Sequence, residues 1–229
     1  MPSIADAFDA YKNRLHELEH FIGDGLEAEK TSAQLSSKLI DRTKAYCVLC
    51  YAESEQFIEL CASYWLDKLE SALVEAFTEA EKTGKLPRTT AEQLGKTLKV
   101  LITDNKDVKQ ILVRLTNAKP ITAKEFGTLA RLARSKIKAK RKEISQNNSL
   151  NSTELSKLFD RKEFDTEDRF VDLRNDLDRL TQLRGIYAHT GIGHVVAGIR
   201  AVPSPSNSKE LVMRLIVEIE ELMASLSKP

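Results

Sequence analysis

Arg184 and His189 are the two side chains whose types and placement could do chemistry, in the run Arg184-Gly185-Ile186-Tyr187-Ala188-His189. A guanidinium is a fixed planar cation that binds a carboxylate or a phosphate through paired hydrogen bonds. An imidazole titrates near neutral pH and can move a proton. The bare spacing decides nothing, because with 14 arginines and four histidines a chance match is expected, and Arg14 with His20 supplies one. Context separates the two pairs. Arg14 and His20 lie in a charged segment with no apolar stripe beneath them and read as solvated surface.

At about 100° per residue from Phe170, the side chains of Leu173, Leu177, Leu180 and Tyr187 fall between about 260° and 340°, with Arg184 at about 320°. Arg184 thus sits inside the apolar stripe of its own helix. A buried, unpaired charge there would cost several kcal/mol, so it needs an acceptor. Gly191 and Gly193 stop the helix just beyond His189. At such a C-terminus the macrodipole favours imidazolium, which suits His189 to proton transfer. The two side chains are about 140° apart on an ideal helix and do not converge within one chain while the helix continues.

The elements that position this pair are helices. Hydrophobic residues make up 41% of the 229 positions and charged ones 30%, with only nine Gly and six Pro, a composition of helices and few tight turns. The periodicity predicts a helix over 4–22, with Phe8, Tyr11, Leu15, Leu18 and Ile22 on one face and Gly23-Asp24-Gly25 ending it. A capping-box pattern at Thr31 to Gln34 opens a second helix that runs to about Lys82 and is apolar on most sides from Ala45 to Leu73, as a central core helix is. Shorter helices follow near 90–102, 105–116 and 122–144, the last with a capping box at Thr122 to Glu125. Ser152 to Phe159 reads as a short helix, the motif helix starts near Thr166, Pro203 and Pro205 mark a loop, and Leu211 to Leu226 close the chain. We expect an all-α fold, one domain over 1–229, with roughly 88–145 inserted between core helices.

Leu180-Thr181-Gln182-Leu183-Arg184-Gly185-Ile186-Tyr187-Ala188-His189-Thr190-Gly191 resembles the motif helix of the HEPN superfamily, in particular its RiboL-PSP-like branch, where the helix ends in Arg-Asn-x-x-Ala-His-Gly. The segment Tyr46 to Leu69, with Ala52-Glu53-Ser54-Glu55-Gln56-Phe57, resembles that branch's early core helix, in which an acidic residue stands beside an aromatic one. The resemblance covers about two thirds of the chain and leaves 88–145 unexplained. It implies an antiparallel helical bundle, a homodimer, and a metal-independent endoribonuclease of toxin-antitoxin or antiphage type, in which Arg184 and His189 of two subunits surround one phosphate. The alternative is a non-catalytic dimerisation or RNA-binding module of a larger complex; a generic helical scaffold is a third reading. The chain departs from the pattern at Gly185, where the family commonly has a polar residue.

Glu55 shares an arc with Tyr51, Ala62 and Leu66 and is placed to orient Arg184, or else is a plain rim carboxylate; Tyr187 reads as a substrate contact or as core. The run Arg131, Arg134, Lys136, Lys138, Lys140, Arg141 and Lys142 has no acid within it and is expected either to meet an RNA backbone, chiefly through Arg131, Arg134, Lys138, Arg141 and Lys142, or to be a solvated helix end. Net charge is +1, so only such a local patch points to nucleic acid. Cys47, Cys50 and Cys61 read as buried thiols of a reducing compartment, and a zinc site combining Cys47 and Cys50 with His16 and His20 is disfavoured by their unlike surroundings. No cofactor or metal is expected. With no signal-like start and no apolar span near the ~20 residues a bilayer needs, a cytoplasmic protein is expected, with RNA, a second copy and an antitoxin or defence-system protein as its partners.

Overall fold

In a computed structural model of the chain, residues 3–30, 35–83, 88–101, 106–117, 119, 121–147, 150–159, 163–189 and 204–226 are described. They are all-helical: α1 Ile4–Leu18, α2 Gly23–Lys30, α3 Ser37–Thr83, α4 Arg88–Leu101, α5 Lys106–Thr116, α6 Ala123–Ser145, α7 Ser152–Phe159, α8 Glu163–Thr166, α9 Val171–His189 and α10 Pro205–Leu226, with 3-10 turns at Glu19–Phe21 and Asp168–Phe170. No strand occurs among the described residues. None of their helices is long and apolar enough to cross a membrane.

These elements gather into two compact units. The first comprises Met1–Leu60, Asn148–Ser156 and Lys162–Ser225. The second comprises Cys61–Asn147, Lys157–Arg161 and Leu226–Pro229, and so takes the expected insertion together with the second half of α3.

In the first unit, α1 starts on a capping box, with Ser3 Oγ accepting from Asp6 N–H and Asp6 accepting from Ser3 N–H. Its stripe of Phe8, Tyr11, Leu15 and Leu18 is buried as the periodicity predicts. Tyr11 stacks on Phe57 of α3 at 4.7 Å, and its hydroxyl meets Ser54 Oγ at 2.9 Å. From α9, Phe170 just upstream and Leu173, Leu177 and Leu180 are all buried. From α10 come Leu211, Leu215, Ile219 and Leu222.

Two glycine and proline readings need correction. Gly23-Asp24-Gly25 does not terminate helical structure: α1 gives way to a 3-10 turn, and α2 starts at Gly23. Gly25 is there for space, since a Cβ on it would stand 2.7 Å from Cγ of Pro205. Pro205, expected in a loop, is the first residue of α10, where a missing N–H costs no intrahelical bond. Ser204 Oγ accepts from Asn207 N–H, and Glu29 accepts from Ser206 N–H at 3.0 Å, so the helix starts six residues before Leu211. The capping pattern at 31–34 lies outside the described residues; α3 is preceded by Ser36, whose Oγ accepts from Leu39 N–H. α3 then runs unbroken for 47 residues, with Leu60 exposed, so its apolar cover is not complete on every side.

The second unit is built on the later part of α3, where Leu66, Leu69, Leu73 and Ala76 are buried. α4 packs closely on α5: a Cβ on Gly95 would stand 2.7 Å from the backbone nitrogen of Thr116. α6 opens on the expected capping box, Thr122 Oγ accepting from Glu125 N–H and Glu125 accepting from Thr122 N–H. Phe126 packs on Phe77 at 4.1 Å.

Between α9 and α10 lies a charged seam. Arg214 clasps Asp176 through two hydrogen bonds of 3.0 Å each, while Glu218, half-buried, has its Oε2 buried without a hydrogen bond. Burial, with the charges of Asp176 and Asp172 added, pushes the Glu218 carboxyl up to about 7. A raised folded-state value means the folded chain holds a proton that the unfolded chain has released, so stability falls as pH rises from 4.5 through about 7. We predict that Glu218→Gln removes this loss. Denaturant unfolding from pH 4 to 8 should show the variant gaining on the wild type through that window and the difference levelling above it. A constant difference would refute the assignment.

Candidate functional site

Arg184 lies on the penultimate turn of α9, part-buried, and its guanidinium carbon stands 5.0 Å from the centroid of the Tyr51 ring of α3. That is a cation–π contact, of about 0.5 to 2 kcal/mol depending on desolvation. Tyr51 is 1% exposed. Its hydroxyl accepts from Leu150 N–H at 2.5 Å and has two acceptors for its own hydrogen at 3.3 Å, Glu55 Oε1 and the Leu150 carbonyl. Burial pushes the Tyr51 phenol upward.

Glu55, one turn after Tyr51, is part-buried. Burial raises its carboxyl above the usual value, and the Arg184 cation pulls it back. The structure therefore brings Glu55, Tyr51 and Arg184 into one polar cluster at the wall of the core. The sequence reading places Tyr51 in the core and does not assign it to the site. The usable signal was its i,i+4 relation to Glu55, which puts both on the face that meets α9.

A short segment ahead of α7 is strapped along α9 beside this cluster. Asp178 accepts from Ser152 N–H at 2.8 Å and from Ser152 Oγ at 2.9 Å. Thr181 Oγ1 donates to the carbonyl of Leu150 or to that of Leu177. Asp178, Thr181 and Arg184 follow one another at three-residue steps, so they line one side of the helix. The last of them meets the strap through Tyr51.

His189 is the last residue of α9, so the backbone places it at the C-terminal end of the helix. The side chains of His189 and Tyr187 lie outside the described residues, as do Gly191 and Gly193. Gly185 is helical, and among the described residues nothing lies within 4 Å of where its Cβ would stand.

The basic residues lie on α6 in the second unit, and their exposure is uneven. Arg131, Arg134, Lys138 and Lys142 are exposed. Arg141, also exposed, is bound to Asp67 at 2.5 Å and Glu70 at 2.7 Å. Lys140 is 5% exposed and donates to Glu143 and to the carbonyl of Lys157. Arg134 stands over the Phe77 ring at 5.9 Å. Three-dimensional pairing thus reduces the free positive charge of the run, leaving Arg131, Lys138 and Lys142 as its most open cations. Cys47, Cys50 and Cys61 are buried free thiols, and burial raises all three, Cys61 to about 12. Protonated thiols of this kind are poor nucleophiles. His16 and His20 bond to Glu19 and to the Glu17 carbonyl in α1 and its following turn.

The open space at Gly185 has a measurable consequence. A glycine inside a helix costs about 0.5–1 kcal/mol relative to alanine, and nothing described opposes a side chain here. Gly185→Ala should stabilise the chain by about that amount, and Gly185→Asn, the residue of the related motif, should be accommodated without loss of helix content. Denaturant unfolding with circular dichroism checks both. A clear destabilisation by alanine would show that the position is closed.

A model of the RiboL-PSP-HEPN family matches residues 9–228. No curated protein and no solved structure matches the chain. The matched span runs from α1 into the residues after α10, and passes through 88–145, the region that the motif resemblance left unexplained. A HEPN domain suggests a ribonuclease-type or RNA-related function. With the all-helical architecture and a match over nearly its whole length, the chain belongs to the RiboL-PSP-HEPN family.

Proposed function

We propose that this protein is a metal-independent endoribonuclease of HEPN type that cleaves RNA at a composite site between two copies of the chain, in a toxin or phage-defence setting. The observation that carries this reading is the seating of Arg184: a cation on the packing stripe of α9, held on the Tyr51 ring beside Glu55, five residues before a histidine that ends the helix. A guanidinium so oriented can stabilise charge developing on a phosphate. His189 takes the proton of a ribose 2′-hydroxyl as the 2′-oxygen attacks phosphorus. The bond to the 5′-oxygen breaks, that oxygen acquires a proton from an imidazolium, and a 2′,3′-cyclic phosphate and a 5′-hydroxyl result. Such acid–base work contributes ~10²–10⁴-fold.

The angular separation of Arg184 and His189 supports the dimer. Across a two-fold axis, the arginine of one copy and the histidine of the other can face one phosphate although those of a single helix diverge. Exposed Arg131, Lys138 and Lys142 on α6 would hold RNA backbone. An antitoxin or defence-system protein is the partner this setting calls for.

Gly185 favours a second reading, a non-catalytic dimerisation or RNA-binding module, because the polar side chain the related motif carries beside the arginine is absent. Purified protein with total RNA in EDTA separates the two. We expect the wild type to cleave, His189→Ala to lose ~10²–10⁴-fold, and Arg184→Lys to be impaired while still folded. RNA binding without cleavage by the wild type would leave the module. For α6, the Arg131→Gln, Lys138→Gln double variant should make the logarithmic salt dependence of single-stranded RNA binding shallower by about 1.4, two phosphate contacts at ~0.7 each. An unchanged slope would remove α6 from the RNA interface.

A further inference from the structure

We propose that Tyr51 is the positioning residue of Arg184: its ring fixes where the guanidinium lies, and its hydroxyl, tied to the Leu150 backbone, fixes the ring. The inference rests on the reading of Arg184 as the phosphate-binding cation and says how that cation is held.

Three observations converge on it. First, Arg184 has a long side chain with many rotamers, and its guanidinium carbon stands 5.0 Å from the centre of a ring that is itself 1% exposed. A buried ring cannot swing aside, so it limits the arginine on one face. Second, the Tyr51 hydroxyl makes bonds that serve more than its own burial. It accepts from Leu150 N–H at 2.5 Å and reaches Glu55 Oε1 at 3.3 Å, so one oxygen joins the strap to the carboxylate that acts on the same guanidinium. Third, the strap is held to α9 independently of Tyr51. Ser152 is bound to Asp178, and the Leu150 carbonyl is within reach of Thr181 Oγ1. Arg184 and the anchor of its ring are therefore both referred to α9, and the distance between them is set by a closed loop of contacts: α9 to strap, strap to Tyr51, Tyr51 to Arg184.

Such a loop matters because an oriented cation contributes to a phosphoryl transition state only at the right place, and a misplacement of about 1 Å can cost ~10²-fold. Tyr51 touches no reacting atom in this account. It acts through Arg184, and its removal should lower kcat more than it raises KM.

The test uses the full chain. In arginine-labelled protein, with the Arg184 signal assigned by Arg184→Lys, we expect the Nε–H resonance of the wild type to be displaced from the free-arginine position by the Tyr51 ring current. Tyr51→Phe, which keeps the ring but not its tie to Leu150, should show a reduced displacement, and Tyr51→Leu should lose it. In RNA cleavage, Tyr51→Leu should lower kcat about ten- to hundredfold with KM changed less than about threefold, and Tyr51→Phe should fall between Tyr51→Leu and wild type. An Arg184 signal at the free position in the wild type overturns the proposal, and needs no variant that folds. So does a folded Tyr51→Leu that keeps the displacement or the wild-type kcat. If the wild type cleaves no RNA, the proposed reaction falls, and the resonance alone decides whether Tyr51 holds Arg184.

Discussion

A guanidinium set into the apolar stripe of a helix cannot be left without acceptors or contacts, because an uncompensated charge in a part-desolvated place costs several kcal/mol. Arg184 occupies such a place on α9, and the surroundings of this helix are arranged around it. The ring of Tyr51 offers a negative face without adding a full charge, and Glu55 adds one at its edge. Burial raises the Glu55 carboxyl while Arg184 opposes that rise, so the cation favours the charged form of the carboxylate.

That arrangement requires α3 and α9 to be held at a defined separation. Leucines of α9 and aromatic residues of α3 are buried in the core of the first unit, and polar ties accompany them: Asp178 to Ser152, Thr181 to Leu150, and Tyr51 to Leu150. On its other side α9 is clasped to α10 by Asp176 and Arg214. Packing alone would tolerate a helix rotated by a few degrees. Directional bonds at several points along α9 do not.

The second unit shows how tertiary contacts revise a reading of charge. As a run of residues, 131–142 is a strong positive segment; as a helix, it has Lys140 turned inward, Arg141 occupied by Asp67 and Glu70, and Arg134 over the Phe77 ring. The acids that do this lie some 70 residues away on α3, so no inspection of the run itself could assign them. Counting charge along a sequence measures what could be presented to a phosphate backbone. Folding decides what is presented.

The helices themselves were legible because a 3.6-residue period and short-range caps are local properties. Phe8, Tyr11, Leu15 and Leu18 were expected on one face and are buried together; Ser152 to Phe159 is the helix it was read to be; the Thr122 and Glu125 capping box stands as spelled. Arg184 was legible as an arginine on an apolar stripe, and it is part-buried against the Tyr51 ring. Gly25 and Pro205 were read wrongly for one reason: each was taken as punctuation of its own segment, whereas the two stand against each other across 180 positions. Tyr51 was read only as core because a buried tyrosine and a ring supporting a cation have the same local pattern. What the sequence by itself determined was therefore the class of fold, the faces of the helices and the presence of a cation where none is easily kept. Which side chains hold that cation, which basic residues stay open, and which glycine is a spacer were decided only by tertiary structure, because each depends on a contact between residues far apart in the chain.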